Sequence, residues 1–209
     1  MTGWRVVSTV AALVGTSPGL HAQFPRLEGR VPPAIRAAVE PVLDSARAGG
    51  LPTEPLENKV LEGVTKDAGP LLIAAAVRRL AGELAQARMA LGDRASEREL
   101  VAGAGALRAG LTPEELTRLR VARSGRGTAV ALEVATDLIT QGVASDTATR
   151  LVISVLQAGA SDADLVQLRL GVSRDVATGV AASVAASVRA RALGGTDLPS
   201  TPKPPDQPH

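Results

Sequence analysis

Apolar side chains recur along most of this chain at the spacing of a helix face. Between Leu71 and Leu91, Ile73, Val77, Leu80, Leu84, Ala87 and Leu91 follow one another at alternating steps of four and three residues, the period that lines one side of an α-helix. Arg78, Arg79, Glu83, Gln86 and Arg88 fall off that stripe. Arg79 and Glu83 stand one turn apart, where opposite charges pair. The same spacing returns at Leu100, Ala104, Leu107 and Leu111, then at Leu132, Ala135, Leu138 and Ile139, and again at Leu151, Val152, Val155 and Leu156. Val176, Val180, Val184 and Val188 repeat at every fourth position. That is helix spacing, although Val is a weak helix former. No stretch sustains the strict alternation of a strand, so the chain is predicted to be all-α.

The boundaries between these segments share one signature. Gly50-Leu51-Pro52-Thr53, Gly110-Leu111-Thr112-Pro113, Gly142-Val143-Ala144-Ser145, Gly159-Ala160-Ser161-Asp162 and Gly171-Val172-Ser173-Arg174 read as variants of one joint. A glycine ends a helix in the left-handed conformation, an apolar residue folds back, and Ser or Thr caps the next helix with an acid on its positive end. Thr112 with Glu115, and Ser96 with Glu99, have the spacing of capping boxes. Short joints predict neighbouring helices packed as hairpins. The intervals between the joint glycines are far from constant, unlike the repeat of about 34 residues in a tetratricopeptide array. The expectation is an irregular bundle or hairpin array of about eight short helices over residues 34–194. Pro41 is expected to kink or split the first helix, Ala34 to Arg47. The break at residues 124–127 marks a possible sub-boundary.

The two ends differ from this middle. Residues 1–22 carry Arg5, an apolar run from Val6 to Val14, a break at Gly15 and Pro18, and Leu20-His21-Ala22. These are the parts of a secretory signal peptide, with cleavage expected between Ala22 and Gln23. The apolar run is shorter than the span of about 20 residues that crosses a membrane. No membrane span is therefore expected after cleavage, and the product is predicted to be periplasmic or secreted. Residues 23–33 read as a short extended lead. Residues 195–209 hold five prolines and few apolar residues, which predicts a disordered tail. Its PxxP spacing would also suit a partner domain that binds proline-rich segments.

Composition narrows the chemistry. Aromatic residues make up 1% of the 209 residues, with one Trp, one Phe and no Tyr. The core must therefore be aliphatic, and the rings that stack on sugars or bases are missing. The pI near 9.6 accompanies a formal net charge of only +2. Without Cys or Tyr little titrates between the carboxylates and the Lys/Arg set, so a small cationic excess carries the pI upward. This is a near-neutral chain, and no nucleic-acid partner is expected. No Cys is present, so no disulfide contributes.

After cleavage the one remaining histidine is His209. Ser-His-Asp, Cys-His and His/Cys zinc sites are thereby excluded, and no cofactor or metal is expected. Carboxylate chemistry or a Ser-Lys pair would remain. Lys59 and Lys66 flank Glu62 on one helix, where ion pairing accounts for them. Gly103-Ala104-Gly105 lacks a third glycine and a preceding strand, so it fails as a nucleotide loop and reads as a close helix contact. Asp162 and Asp164 stand in a first helical turn, where capping explains them. The Gly179, Ser183 and Ser187 ridge is expected to pack internally. Arg118, Arg120, Arg123 and Arg126 form the densest cationic patch, toward a helix C-terminus and a glycine-flanked loop. They are the candidate anion site, for phosphate or an acidic polymer.

The segment Gly50-Leu51-Pro52-Thr53-Glu54-Pro55-Leu56, with Lys59 and Glu62-Gly63 after it, resembles a group of uncharacterised exported bacterial helical proteins. The likeness covers about residues 39–91 and implies no activity. Leu111-Thr112-Pro113-Glu114-Glu115 is similar to the LTxxQ motif of small periplasmic stress chaperones, with Glu115 in place of Gln. The expected function is that of an exported, non-enzymatic protein that binds another protein through helix surfaces. The alternatives are a periplasmic holdase-like chaperone and a carboxylate-based enzyme.

Overall fold

The computed structural model describes residues 24–123 and 125–195. The expected signal peptide with its Ala22/Gln23 cleavage site, and the expected tail beyond Gly195, lie outside the described residues. Among these the chain is all-helical. Nine α-helices follow a short 3-10 turn at Pro25–Leu27: α1 (Pro33–Ala48), α2 (Glu54–Thr65), α3 (Pro70–Leu91), α4 (Glu97–Ala109), α5 (Pro113–Ala122), α6 (Ala129–Thr140), α7 (Ser145–Gln157), α8 (Asp162–Ala177) and α9 (Ala182–Ala192).

The helix starts follow the chemistry of the sequence. α1, α2, α3 and α5 carry Pro in their first two positions, where a missing N–H removes no helical bond. Ser96 with Glu99, Thr112 with Glu115, and Ser161 with Asp164 form complete capping boxes on α4, α5 and α8. Most helix ends share a second device. At Gly50, Gly110, Gly142, Gly159 and Gly179, each at positive φ, the glycine N–H reaches back three residues and the next N–H reaches back five. Leu111, for example, donates to the Ala106 carbonyl at 3.0 Å, and Val143 to that of Leu138 at 3.0 Å. This is the Schellman arrangement. Asp67, at φ 53, takes the glycine's place after α2.

Three sequence expectations need correction. Gly171 is not a joint: it lies inside α8, and the turn comes at Gly179. A side chain at Gly171 would stand 3.1 Å from the Arg189 Cδ, so this glycine is where α9 crosses α8. Pro41 does not split α1, which runs unbroken from Pro33 to Ala48. Val39 and Leu43, on either side of it, are fully buried, and their packing holds the helix across the lost hydrogen bond. Residues 24–33 are not an extended lead. Phe24, Leu27 and Val31 are buried, and the Phe24 ring lies 4.0 Å from the Arg47 guanidinium carbon. Their spacing of three and four folds the segment onto α1 and α2 despite its prolines.

The helices form a two-row hairpin array. α1 packs on α3, α3 on α5, α5 on α7 and α7 on α9, while α4 packs on α6 and α6 on α8. Sequence neighbours also pack, α3 on α4 and α8 on α9 most extensively. One aliphatic core runs from Phe24 to Ala190 and passes both sides of residues 124–127. None of the described helices is long and apolar enough to cross a membrane.

Candidate functional site

The four arginines of the cationic patch do not act together. Arg118 pairs with Glu115 at 3.6 Å and Asp146 at 3.4 Å, tying α5 to α7. Arg123 is buried. Its Nη2 meets Asp162 Oδ1 at 2.6 Å, and its Nε donates to the Gly127 carbonyl at 3.1 Å. That side chain pins the loop after α5 to the start of α8, so Asp162 serves more than its own helix end.

Arg120 and Arg126 remain exposed and line a cleft of about 530 Å³ between the α3–α4 joint, the end of α5 and the loop before α6. Arg94, on the α3–α4 joint, joins them. Sequence reading missed Arg94 because it lies far upstream of the patch. Its signal was Gly92, which ends α3 at φ 86 and turns the chain toward α5. A side chain at Gly92 would stand 3.8 Å from Arg120 Nη1, so the Arg120 head lies over this turn.

Glu99 is the one carboxylate lining the cleft. Its Oε2 accepts from the Ser96 N–H at 2.9 Å and its Oε1 from the Thr128 N–H at 2.8 Å. Burial works to raise the Glu99 carboxyl, but the hydrogen bonds from Thr128 and Ser96 outweigh it and hold it below its ordinary value. With both oxygens engaged and ionised, Glu99 is a clasp between two helix starts rather than a proton acceptor for a reaction.

Other candidates resolve into structure. Lys59 and Lys66 both bond Glu62, and those hydrogen bonds bring its carboxyl down to about 2. Gly103 is a close contact: a side chain there would meet Ala87 Cβ at 2.9 Å. Gly105 is not, since nothing lies within 4 Å of its Cβ position. The buried carboxylates Glu57 on α2 and Glu115 on α5 line neither this cleft nor those beside Arg189 and Pro41. No group of three or more metal-ligating side chains lies together among the described residues.

A second surface lies on α9. The expected internal packing of the Gly179, Ser183 and Ser187 ridge is corrected here. Gly179 and Ser183 are exposed and Ser187 is half-buried, whereas Ala185, Ala186 and Ala190 face the core. Alanines allow α9 to approach α7 and α8 closely, which turns the larger side chains outward. Val184 and Val188 stand on the outer side at 53% and 55% exposure, and Val180, in the joint before α9, is 41% exposed. Comparison of the chain with family models, curated proteins and solved structures finds no match.

Proposed function

We propose that this chain is an exported, non-catalytic protein that binds another protein through the outer face of α9. The observation that carries this reading is the reversed pattern of that helix, with alanines inside and Val184 and Val188 outside, continued by the exposed Val180 in the joint before it. Val is disfavoured in a helix by up to about 0.7 kcal/mol relative to Ala. Full burial of a Val side chain returns roughly 1.5 kcal/mol or more. An outward valine row therefore recovers its helical disadvantage only when a partner covers it.

The position of Val180 supports the same reading. At the equivalent place in earlier joints, Leu111 and Val143 are buried. Export rests on the sequence of residues 1–22. The non-catalytic part is supported by the engagement of Glu99, Glu62 and Asp164 in capping and ion pairing.

The test is photo-crosslinking of the full chain in the producing cell, with the reactive group at position 184 and a control at Glu114. One protein captured from 184 in fixed ratio, and lost on Val188→Asp, is expected. Identical capture from both positions overturns the reading. The exposed Leu71, Leu72 and Met89 on α3 favour a holdase-like chaperone as the second reading. Suppressed aggregation of unrelated unfolded proteins, with no fixed-ratio complex, would select it.

A further inference from the structure

We propose that the arginine cleft between the α3–α4 joint, α5 and the loop before α6 is a binding site for a phosphate group, carried on a small non-aromatic molecule or on a lipid head. This inference is independent of the reading of α9. Arg94, Arg120 and Arg126 line one concavity, and among the described residues no hydrogen bond or ion pair engages their guanidinium groups. Three guanidinium groups at one cleft repel one another, and an anion between them removes that repulsion. The carboxylate that lines the cleft and the one that meets Arg123 are already committed. Glu99 is held by the Ser96 and Thr128 N–H groups, and Asp162 by Arg123. Unlike Arg118 and Arg123, these three have no structural duty that accounts for them.

The geometry selects the ligand class. Arginine presents a planar fork of donors that matches phosphate oxygens two at a time. A phosphate monoester carries about −1.5 to −2 charges near neutral pH, which suits a cleft lined by three unpaired cations. The volume of about 530 Å³ falls in the range that holds small ligands. Leu91, Ala95 and Val121 supply an aliphatic wall, and no aromatic ring is there to stack on a base. The ligand is thus a phosphate on an aliphatic or sugar-like body.

The experiment is isothermal titration of the full chain with inorganic pyrophosphate at low and high salt, beside Arg94→Gln, Arg120→Gln, Arg126→Gln and the triple variant. Arg118→Gln is the control, since its side chain serves the α5–α7 contact. Saturable binding that weakens with salt is expected, with a loss of about tenfold for each single variant in the cleft and little change for Arg118→Gln. Thermal unfolding followed by circular dichroism should be unchanged in the cleft variants, which break no ion pair. Absence of binding at millimolar pyrophosphate overturns the proposal. So does binding that survives in the triple variant, or a loss as large in Arg118→Gln. A parallel sedimentation with phosphatidylglycerol vesicles separates the sources. Co-sedimentation lost in the triple variant assigns the site to a lipid head, and pyrophosphate binding without it assigns a soluble ester.

Discussion

Two glycines on α4 offer a sharp test of the packing. A methyl group at Gly103 would stand 2.9 Å from Ala87 Cβ, 3.0 Å from Leu91 Cδ1 and 3.4 Å from Leu116 Cδ2. Leu91 can rotate away, but Ala87 Cβ is fixed to the α3 backbone, so α3 and α4 would have to separate. A methyl at Gly105 meets nothing within 4 Å. Replacing a glycine inside a helix by alanine gains about 1 kcal/mol of helix propensity at either site. Overpacking costs about 1–3 kcal/mol. Gly105→Ala should therefore stabilise by about 1 kcal/mol, while Gly103→Ala should range from neutral to about 2 kcal/mol destabilising. The propensity gain is common to both, so the difference of about 1–3 kcal/mol isolates the steric contribution. Urea unfolding followed by far-ultraviolet circular dichroism reads it directly. In thermal melts it corresponds to about 2–4 °C per kcal/mol for a chain of this size. A Gly103→Ala protein as stable as Gly105→Ala would refute the close approach of α3 and α4.

Other consequences can be checked in the same way. Gly179→Ala, at φ 95 with open space around its Cβ position, should destabilise by about 1 kcal/mol from backbone strain alone, as measured by urea unfolding. Arg189 bonds Asp175 through two nitrogens, each at 2.7 Å, joining α9 to α8. Asp175→Asn should speed amide hydrogen exchange in α9 and leave α3 to α5 unchanged. The Glu62 carboxyl should titrate at about 2 rather than 4.5, as followed by carbon NMR, and return toward the ordinary value in Lys59→Ala/Lys66→Ala. Because its folded value is depressed, the stabilisation is present above pH 4.5 and is lost as pH falls toward about 2. Replacing Val180, Val184 and Val188 together by Gln should leave unfolding within about 0.5 kcal/mol per site, since surface changes of this kind cost little. A loss of several kcal/mol would place that row in the core instead.

The helices were legible because a 3.6-residue apolar period and explicit caps signal them locally. Ser96 with Glu99, and Thr112 with Glu115, behave as their spacing predicts. Gly171 misled because Gly-Val-Ser-Arg-Asp has the composition of a joint. What distinguishes it is three-dimensional: Arg189 crosses over it, and no local pattern reports a neighbour eighteen residues away. The arginine patch was half legible. Residues two apart on a helix point about 200° apart, so Arg118 and Arg120 had to face different ways. Arg120 and Arg123, three apart, share a side. That Arg123 would be neutralised by Asp162, and Arg94 drawn in, depended on long-range packing.

The cleft also has a position in the array that follows from its joints. After α1, α2, α4, α6, α7 and α8 the chain turns by the same pair of back-reaching bonds, at Gly50, Asp67, Gly110, Gly142, Gly159 and Gly179. Two joints depart from the rule. At the end of α3 the Gly92 N–H bonds the Arg88 carbonyl, four residues back, and a tight turn through Asp93 and Arg94, closed by the Ala95 N–H on the Gly92 carbonyl, leads to Ser96. At the end of α5 the closing bonds come from the Arg123 N–H, and the Arg123 side chain also holds the loop that turns at Gly125. These two exceptions face each other, bridged by the Glu99 bond to Thr128, and together they make the arginine cleft. Seven helix ends close in this one way, that of α9 at Gly194 included, and the ends of α3 and α5 depart from the chain's own local rule. Such departures belong where a site, rather than the fold, sets the residues. The unpaired charges of Arg94, Arg120 and Arg126 lie at this one departure.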